Sequence, residues 1–361
     1  MLAIAIIGMA LLAAHASAAL GYYAVSLRWY RKGLRVSRGD PSGLKVSVVI
    51  PTYNESKIIQ AKLDDVIGQR HQGPMEVIVV DSSTDGTPEL VEGWSRLRGV
   101  PVKLLREPER RGKHEAENYA VREASGDVIV FTDADCRWSK GSLSAALSYM
   151  ADPSVGLVTC VKRPDGGALE STYRELYNVL RLGESSAHST TVAHGELLAV
   201  RRQLLLSLGG LRPGADDSDL AHRVAMRGLR AIAAPDVVCT EMTPRRGYLE
   251  WRLRRAQHLI ARFASSLRDL PRAPRGYREA LAWESFLHLF NPWLAAAALA
   301  FLVAAALEGS IIAAAALMIV LALLLASRTA RTWALEQAIL VAGAIRNLWN
   351  REHVWKKVEK S

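Results

Sequence analysis

The sequence predicts an α/β domain built on a mostly parallel sheet, held between apolar helices at its two ends. Two observations carry this. Short β-branched runs alternate with helical stretches through residues 44–243, the pattern of a sheet covered on both faces. The hydrophobic residues, half of the 361, are concentrated outside that region.

The N-terminal block comes first. Met1 to Leu27 carry no Asp, Glu, Lys or Arg, and His15 is the one strongly polar interruption. A run of ~20 apolar residues spans a bilayer core. Arg28, Trp29, Tyr30, Arg31 and Lys32 follow it, placing positive charge and interfacial aromatics at its cytoplasmic end. The rival reading is a cleaved signal peptide at Ala16-Ser17-Ala18. A signal peptide carries its charge before the apolar run, so residues 1–28 read as a transmembrane anchor. Leu294 to Leu307 and Ile311 to Ala326, split by Glu308-Gly309-Ser310, read as a hairpin within 286–327. Arg328, Arg331, Lys356, Lys357 and Lys360 return the tail, 328–361, to the same side. Residues 333–349 read as an interfacial helix in preference to a third span. Between sheet and hairpin, 244–285 holds ten arginines, from Arg245 to Arg278, interleaved with Tyr248, Trp251, Leu259 and Phe263. This reads as basic membrane-surface helices, and the nearby spans argue against nucleic acid as partner.

Composition removes several classes. A net charge of +10 on a half-hydrophobic chain excludes disorder and collagen-like repeats. Three cysteines supply neither a disulfide framework nor a zinc spacing, as expected of a reducing, cytoplasm-facing domain. No GxGxxG follows a strand, which argues against a dinucleotide oxidoreductase.

The strands are expected at 45–50, 76–80, 102–105, 127–131 and 155–161, with helices at 56–70, 87–98, 113–124 and 140–151. Ligands of such sheets bind at the carboxyl ends of the strands. The first strand ends in Pro51-Thr52-Tyr53-Asn54-Glu55, and the second in Asp81-Ser82-Ser83-Thr84-Asp85. The fourth ends in Thr132-Asp133-Ala134-Asp135. Side chains two apart on an extended segment face the same way, so Asp133 and Asp135 converge, and two close carboxylates call for a cation. Hard oxygen ligands suit Mg²⁺ or Mn²⁺. Gly112-Lys113 opens a helix and offers donors and an ammonium to a phosphate, without the upstream glycines of a Walker loop. Asp216, Asp217 and Asp219 precede another helix. One can cap it, which leaves another to act as a base.

In order, these motifs resemble family 2 inverting glycosyltransferases of the GT-A fold, over about residues 44–260. The resemblance implies a Rossmann-like mixed sheet and a nucleotide-sugar donor, UDP- or GDP-linked. It assigns Pro51, Tyr53, Glu55, Asp81, Lys113 and Asp133 to the donor, and Asp133 and Asp135 to the metal. Asp217 becomes the general base. Gly195, Glu196, Asp216, Arg252, Arg255 and Gln257 fall to the acceptor and its phosphate. Gly112, Lys113 and Asn118 match the family's Gly-Lys helix, and His194-Gly195-Glu196 through Gly209-Gly210 its acceptor stretch. The turn after Asp81 is one residue short of the usual double-aspartate form. Processive members carry QxxRW where this chain has Trp251-Arg252-Leu253-Arg254-Arg255-Ala256-Gln257. The expectation is therefore transfer of one sugar to a lipid-linked acceptor: a polyprenyl or dolichyl phosphate, its oligosaccharide, or a glycolipid. The enzyme would be integral to a plasma or ER-type membrane. The alternatives are a processive polysaccharide synthase and a non-catalytic scaffold on a transferase fold.

Overall fold

The computed structural model describes residues 1–349 apart from 70, 166–167, 213–214 and 245–246. Gly214, Arg245, Arg246 and the lysines of the tail lie outside the described residues. The chain opens with helix α1 (Leu2–Arg31). It continues through β1 (Val46–Thr52), α2 (Ile59–Gly68), β2 (Met75–Asp81), α3 (Thr87–Arg98), β3 (Val102–Arg106), α4 (Lys113–Glu123) and β4 (Val128–Phe131). Next come β5 (Cys136–Trp138), α5 (Ser142–Tyr149), β6 (Val155–Asp165), α6 (Ala168–Ala187), β7 (Leu198–Arg201), α7 (Arg202–Ser207), α8 (Asp217–Met226) and β8 (Arg230–Met242). The helices α9 (Tyr248–Ser266), α10 (Arg275–Leu289), α11 (Asn291–Leu307), α12 (Ile311–Ala326) and α13 (Arg328–Arg346) complete it.

The strands form one mixed sheet in the order β3-β2-β1-β4-β7-β6-β8-β5. β3, β2, β1 and β4 run parallel, as do β6 and β8, whereas β7 is antiparallel to both β4 and β6. The two-residue period of a strand explains the two cores. Val46, Val48 and Ile50 of β1 join Val77, Val79, Val128 and Val130 beneath α2, α3 and α5. Val49, Ile78, Val80, Ile129 and Phe131 point the other way, onto α4 and α8. Because β1, β2 and β4 are parallel, their carboxyl ends lie along one rim, and the loops after Thr52, Asp81 and Phe131 are neighbours.

α1 and the segment Arg275–Leu307 are each long and apolar enough to cross a membrane. α1 also docks on the sheet domain. Gly183 of α6 presses on the backbone of Ser26, 2.8 Å from its carbonyl carbon at the position a Cβ would take. The Tyr22 hydroxyl donates to Glu184 at 2.6 Å. Three features of the helical region differ from the sequence expectation. The hairpin's first arm extends back into α10, so a boundary at 286 falls inside a helix. Its second arm, α12, has 16 residues, about 24 Å of rise against a core of ~30 Å, and bends by 111° into α13. The basic helix α9 is turned inward, with Arg252, Arg254 and Arg262 buried. α13 packs on it through Ile339 and Leu340 against Ala256 and Ile260.

Candidate active site

A cavity of about 460 Å³ opens at the carboxyl rim of the sheet. Pro51, Tyr53 and Glu55 line one end, together with Ser82, Asp85 and Arg110. The Arg110 guanidinium lies 3.9 Å over the Tyr53 ring. Asp81 is not on the wall. It is 1% exposed, and it accepts hydrogen bonds from the Thr52 hydroxyl at 2.7 Å and the Ser83 hydroxyl at 2.6 Å. The expected donor contact at Asp81 is thus corrected: this carboxylate ties two loops together, and Asp85, four residues on, faces the cavity. Asp85 in turn accepts from Thr87 and from the Ser56 amide. Those bonds outweigh its burial and lower its pKa.

The centre of the cavity is a knot of charge. α4 starts at Lys113 because Gly112 adopts φ 108°, a left-handed conformation that strains any side chain with a Cβ. The Lys113 ammonium lies 2.8 Å from Asp133 and 3.6 Å from Asp217. One cation therefore holds together the two acids that the sequence separates by more than eighty residues. Asp133 and Asp135 both line the cavity. Of the three aspartates at the start of α8, each has its own task. Asp216 caps the helix by accepting from the Asp219 amide at 3.2 Å. Asp219 pairs with Arg223 at 2.8 Å. Asp217 turns into the cavity. Asn118 fixes that geometry by exchanging hydrogen bonds with Leu211, at 2.7 and 2.8 Å, on the loop leading to α8. Gly195 packs so closely that a Cβ there would sit 2.7 Å from the Lys113 ammonium and collide with Asp217.

The electrostatics follow from burial and charge together. Burial opposes the Lys113 ammonium, but Asp133, Asp217 and Glu117 overcome it and raise its pKa. Burial alone would raise Asp217; Lys113 and His114 outweigh it and hold the carboxyl well below the usual range. Burial pushes Asp216 up to about 6. Asp217 is therefore ionised throughout the physiological range.

The far end of the cavity is made by α6, β6, β8 and α9. Lys162 is buried between Glu196 and Glu241. Arg255 pairs with Glu241 at 3.0 Å and lies over the Trp251 ring. Arg252, 4% exposed, pairs with Glu170 at 2.9 Å and with Glu336 of α13. His288 of α10 and Leu340 of α13 carry the wall on towards the apolar helices. Gln257, expected here, is corrected. It faces α13's end, where its side-chain amide donates to Asn347 at 3.0 Å. On a helix it lies about 200° around from Arg255, and His258 reaches the cavity instead. Arg110 and Lys162 also line the cavity and had no part in the sequence expectation.

Asp133 and Asp135 fit a divalent cation of the Mg²⁺ or Mn²⁺ class. Both offer hard oxygens from one loop, and among the described residues no group of three or more His, Cys, Asp or Glu could close the coordination sphere. Such an ion keeps positions open for substrate phosphate oxygens.

Two family models match the chain: glycosyl transferase family 2 over residues 47–208, and glycosyl transferase family group 2 over 128–327. The second covers more than half of the sequence. The chain belongs to the family 2 glycosyltransferases. Among solved structures it is similar to the mannosyltransferase PcManGT from Pyrobaculum calidifontis, in complex with GDP-Man and Mn²⁺. The identity is 46%, 97% of this chain and 100% of that chain are covered, and the TM-score is 0.88. Among curated relatives, glycosyltransferase AglE of Haloferax volcanii is 31% identical over 45% of this chain and 55% of its own length. An N-acetylglucosaminyltransferase of Rhizobium sp. is 26% identical over 63% and 55%. The chain spans about half the length of these curated relatives.

Proposed function

We propose that this chain moves one sugar from a UDP- or GDP-sugar, GDP-mannose first among them, to a lipid-linked acceptor at a membrane, with inversion at the anomeric carbon. The observation that carries the reading is one cavity in which Lys113 draws Asp133 and Asp217 together beside Asp135, and whose far wall runs on to His288 of α10 and Leu340 of α13. The donor is favoured by the GDP-Man held by PcManGT.

Tyr53, Asp85 and Arg110 bind the nucleoside end of the donor. Asp133 and Asp135 hold the divalent cation, which when bound supplies Lewis-acid stabilisation of the leaving diphosphate. Lys113 adds a fixed positive charge where negative charge grows. Asp217 accepts the proton of an acceptor hydroxyl as that oxygen attacks from the face opposite the leaving group. Arg252 and Arg255, with Glu196 and Gly195, orient the acceptor and its phosphate. The anchor α1 and the segment Arg275–Leu307 keep the domain at the bilayer, and Arg28, Arg31 and Lys32 put it on the cytoplasmic side.

The test is a donor panel assayed by nucleoside diphosphate release, using purified protein, Mn²⁺ and a membrane lipid extract. Release with one donor that depends on the extract supports the reading. Silence with every donor refutes it, and a ladder of long polymer on a gel replaces it with a processive synthase.

A further inference from the structure

Behind Asp217 lies a carboxylate with no part in the scheme above. Glu117 is 1% exposed, and among the described residues neither of its carboxylate oxygens has a hydrogen-bond partner. It sits one helical turn after Lys113, whose ammonium is 3.8 Å away, and 3.8 Å from Nε2 of His114. The same Nε2 lies 3.8 Å from Asp217, while Nδ1 of His114 donates to the Arg212 carbonyl at 3.0 Å. His114 is thus oriented by the backbone on one side and shared between two carboxylates on the other. The groups facing Glu117 are Lys113 and His114 on its own helix, Asp217 from α8 and Asp133 from the loop after β4. The sheet face beneath α4 presents the apolar Val49, Ile78 and Val80.

A buried carboxylate without hydrogen bonds is either protonated or balanced by a nearby cation. Here burial pushes Glu117 up while Lys113 and His114 pull it down, leaving it at about 7. Burial lowers His114, but Asp217 and Glu117 raise it to about 9. Near neutral pH the imidazolium therefore persists while Glu117 changes charge.

We propose that Glu117 is a positioning residue that sets the basicity of Asp217 through their shared contact with His114. With Glu117 neutral, the two cations face only Asp133 and Asp217, and Asp217 is a weak proton acceptor. With Glu117 ionised, it takes up part of the imidazolium's charge, and Asp217 accepts the acceptor's proton more readily. In the transfer step the acceptor O–H bond breaks and its proton goes to Asp217. The acceptor oxygen bonds the anomeric carbon, and the nucleoside diphosphate leaves with the bonding pair. Glu117 stays ionised and His114 keeps both of its ring protons throughout.

This inference rests on the transfer reading, and the experiment separates the two. The measurement is kcat against pH, from about 5.5 to 8.5, at saturating donor, acceptor lipid and Mn²⁺. Asp217 alone, ionised far below that range, gives a flat profile. The proposal predicts that kcat falls about tenfold through an acid limb near 7 and levels off below it. Glu117→Gln removes the limb and leaves kcat about tenfold or more below wild type at pH 8, with donor KM unchanged. His114→Gln breaks the contact through which Glu117 acts, so it too removes the limb and lowers kcat at pH 8, which carries the test if Glu117→Gln does not fold. A merely structural role lowers kcat equally at every pH and leaves the limb in place, which overturns the proposal. So does a limb that survives in Glu117→Gln and vanishes in Asp216→Asn. Wild-type protein inactive with every donor refutes the transfer reading itself, and the proposal with it.

Discussion

A single added methyl group gives a sharp test of the site's packing. At Gly195 a Cβ would lie 2.7 Å from the Lys113 ammonium and inside the van der Waals radius of Asp217. An ordinary contact needs about 3.5 Å, so Lys113 must retreat by about 0.8 Å or Asp217 must swing away. Either movement breaks the arrangement in which Lys113 spans Asp133 at 2.8 Å and Asp217 at 3.6 Å. A misplacement near 1 Å costs on the order of 100-fold in rate, or about 2.7 kcal/mol of transition-state stabilisation. Gly195 is not among the glycines with positive φ, so alanine adds no backbone strain and the thermal midpoint should change little. Gly93→Ala is the control, because a Cβ at that helical position meets nothing within 4 Å among the described residues. It should keep full activity and gain up to about 1 kcal/mol of stability. The assay is nucleoside diphosphate release with matched thermal melts. Gly195→Ala within twofold of wild type would refute the account of how Lys113 and Asp217 are held.

Other outcomes follow from the same geometry. Asp81→Ala removes the acceptor shared by Thr52 and Ser83 and should cost about 2–3 kcal/mol of stability, read by denaturant unfolding. Asp85→Ala should chiefly raise donor KM, and an unchanged KM would remove Asp85 from the donor end. Chelation with EDTA should abolish transfer and added Mn²⁺ should restore it, whereas activity in excess EDTA would dismiss the cation assigned to Asp133 and Asp135.

The sheet and the central acids were legible because both rest on short-range patterns. β-branched runs located β1, β2, β4 and β6 within a few residues, and the parallel pairing of β1 with β2 and β4 placed Asp133 and Asp135 at the rim. The split of tasks among Asp216, Asp217 and Asp219 was open in the sequence, since any of them can cap a helix. It is closed by Arg223, which draws Asp219 away. Asp81 and Asp85 are chemically alike, and only the hydroxyls of Thr52 and Ser83 show that Asp81 is spent on structure. Gln257 failed because the helix phase turns one residue away from the arginines that do reach the cavity. The arginines of α9 resembled a membrane-facing surface because their partners, Glu170, Glu241 and Glu336, are remote in sequence. Glu117 left a faint signal: its spacings of three from His114 and four from Lys113 put all three on one helical face.

The central claim is that Asp217 takes the acceptor's proton while Asp133 and Asp135 hold the donor through a cation. Asp217→Asn tests it most directly, with binding of the active donor and its turnover measured on the same preparation. The account predicts wild-type affinity for donor with Mn²⁺ and release of nucleoside diphosphate slowed by about 100- to 10,000-fold. Turnover near the wild-type rate would contradict it.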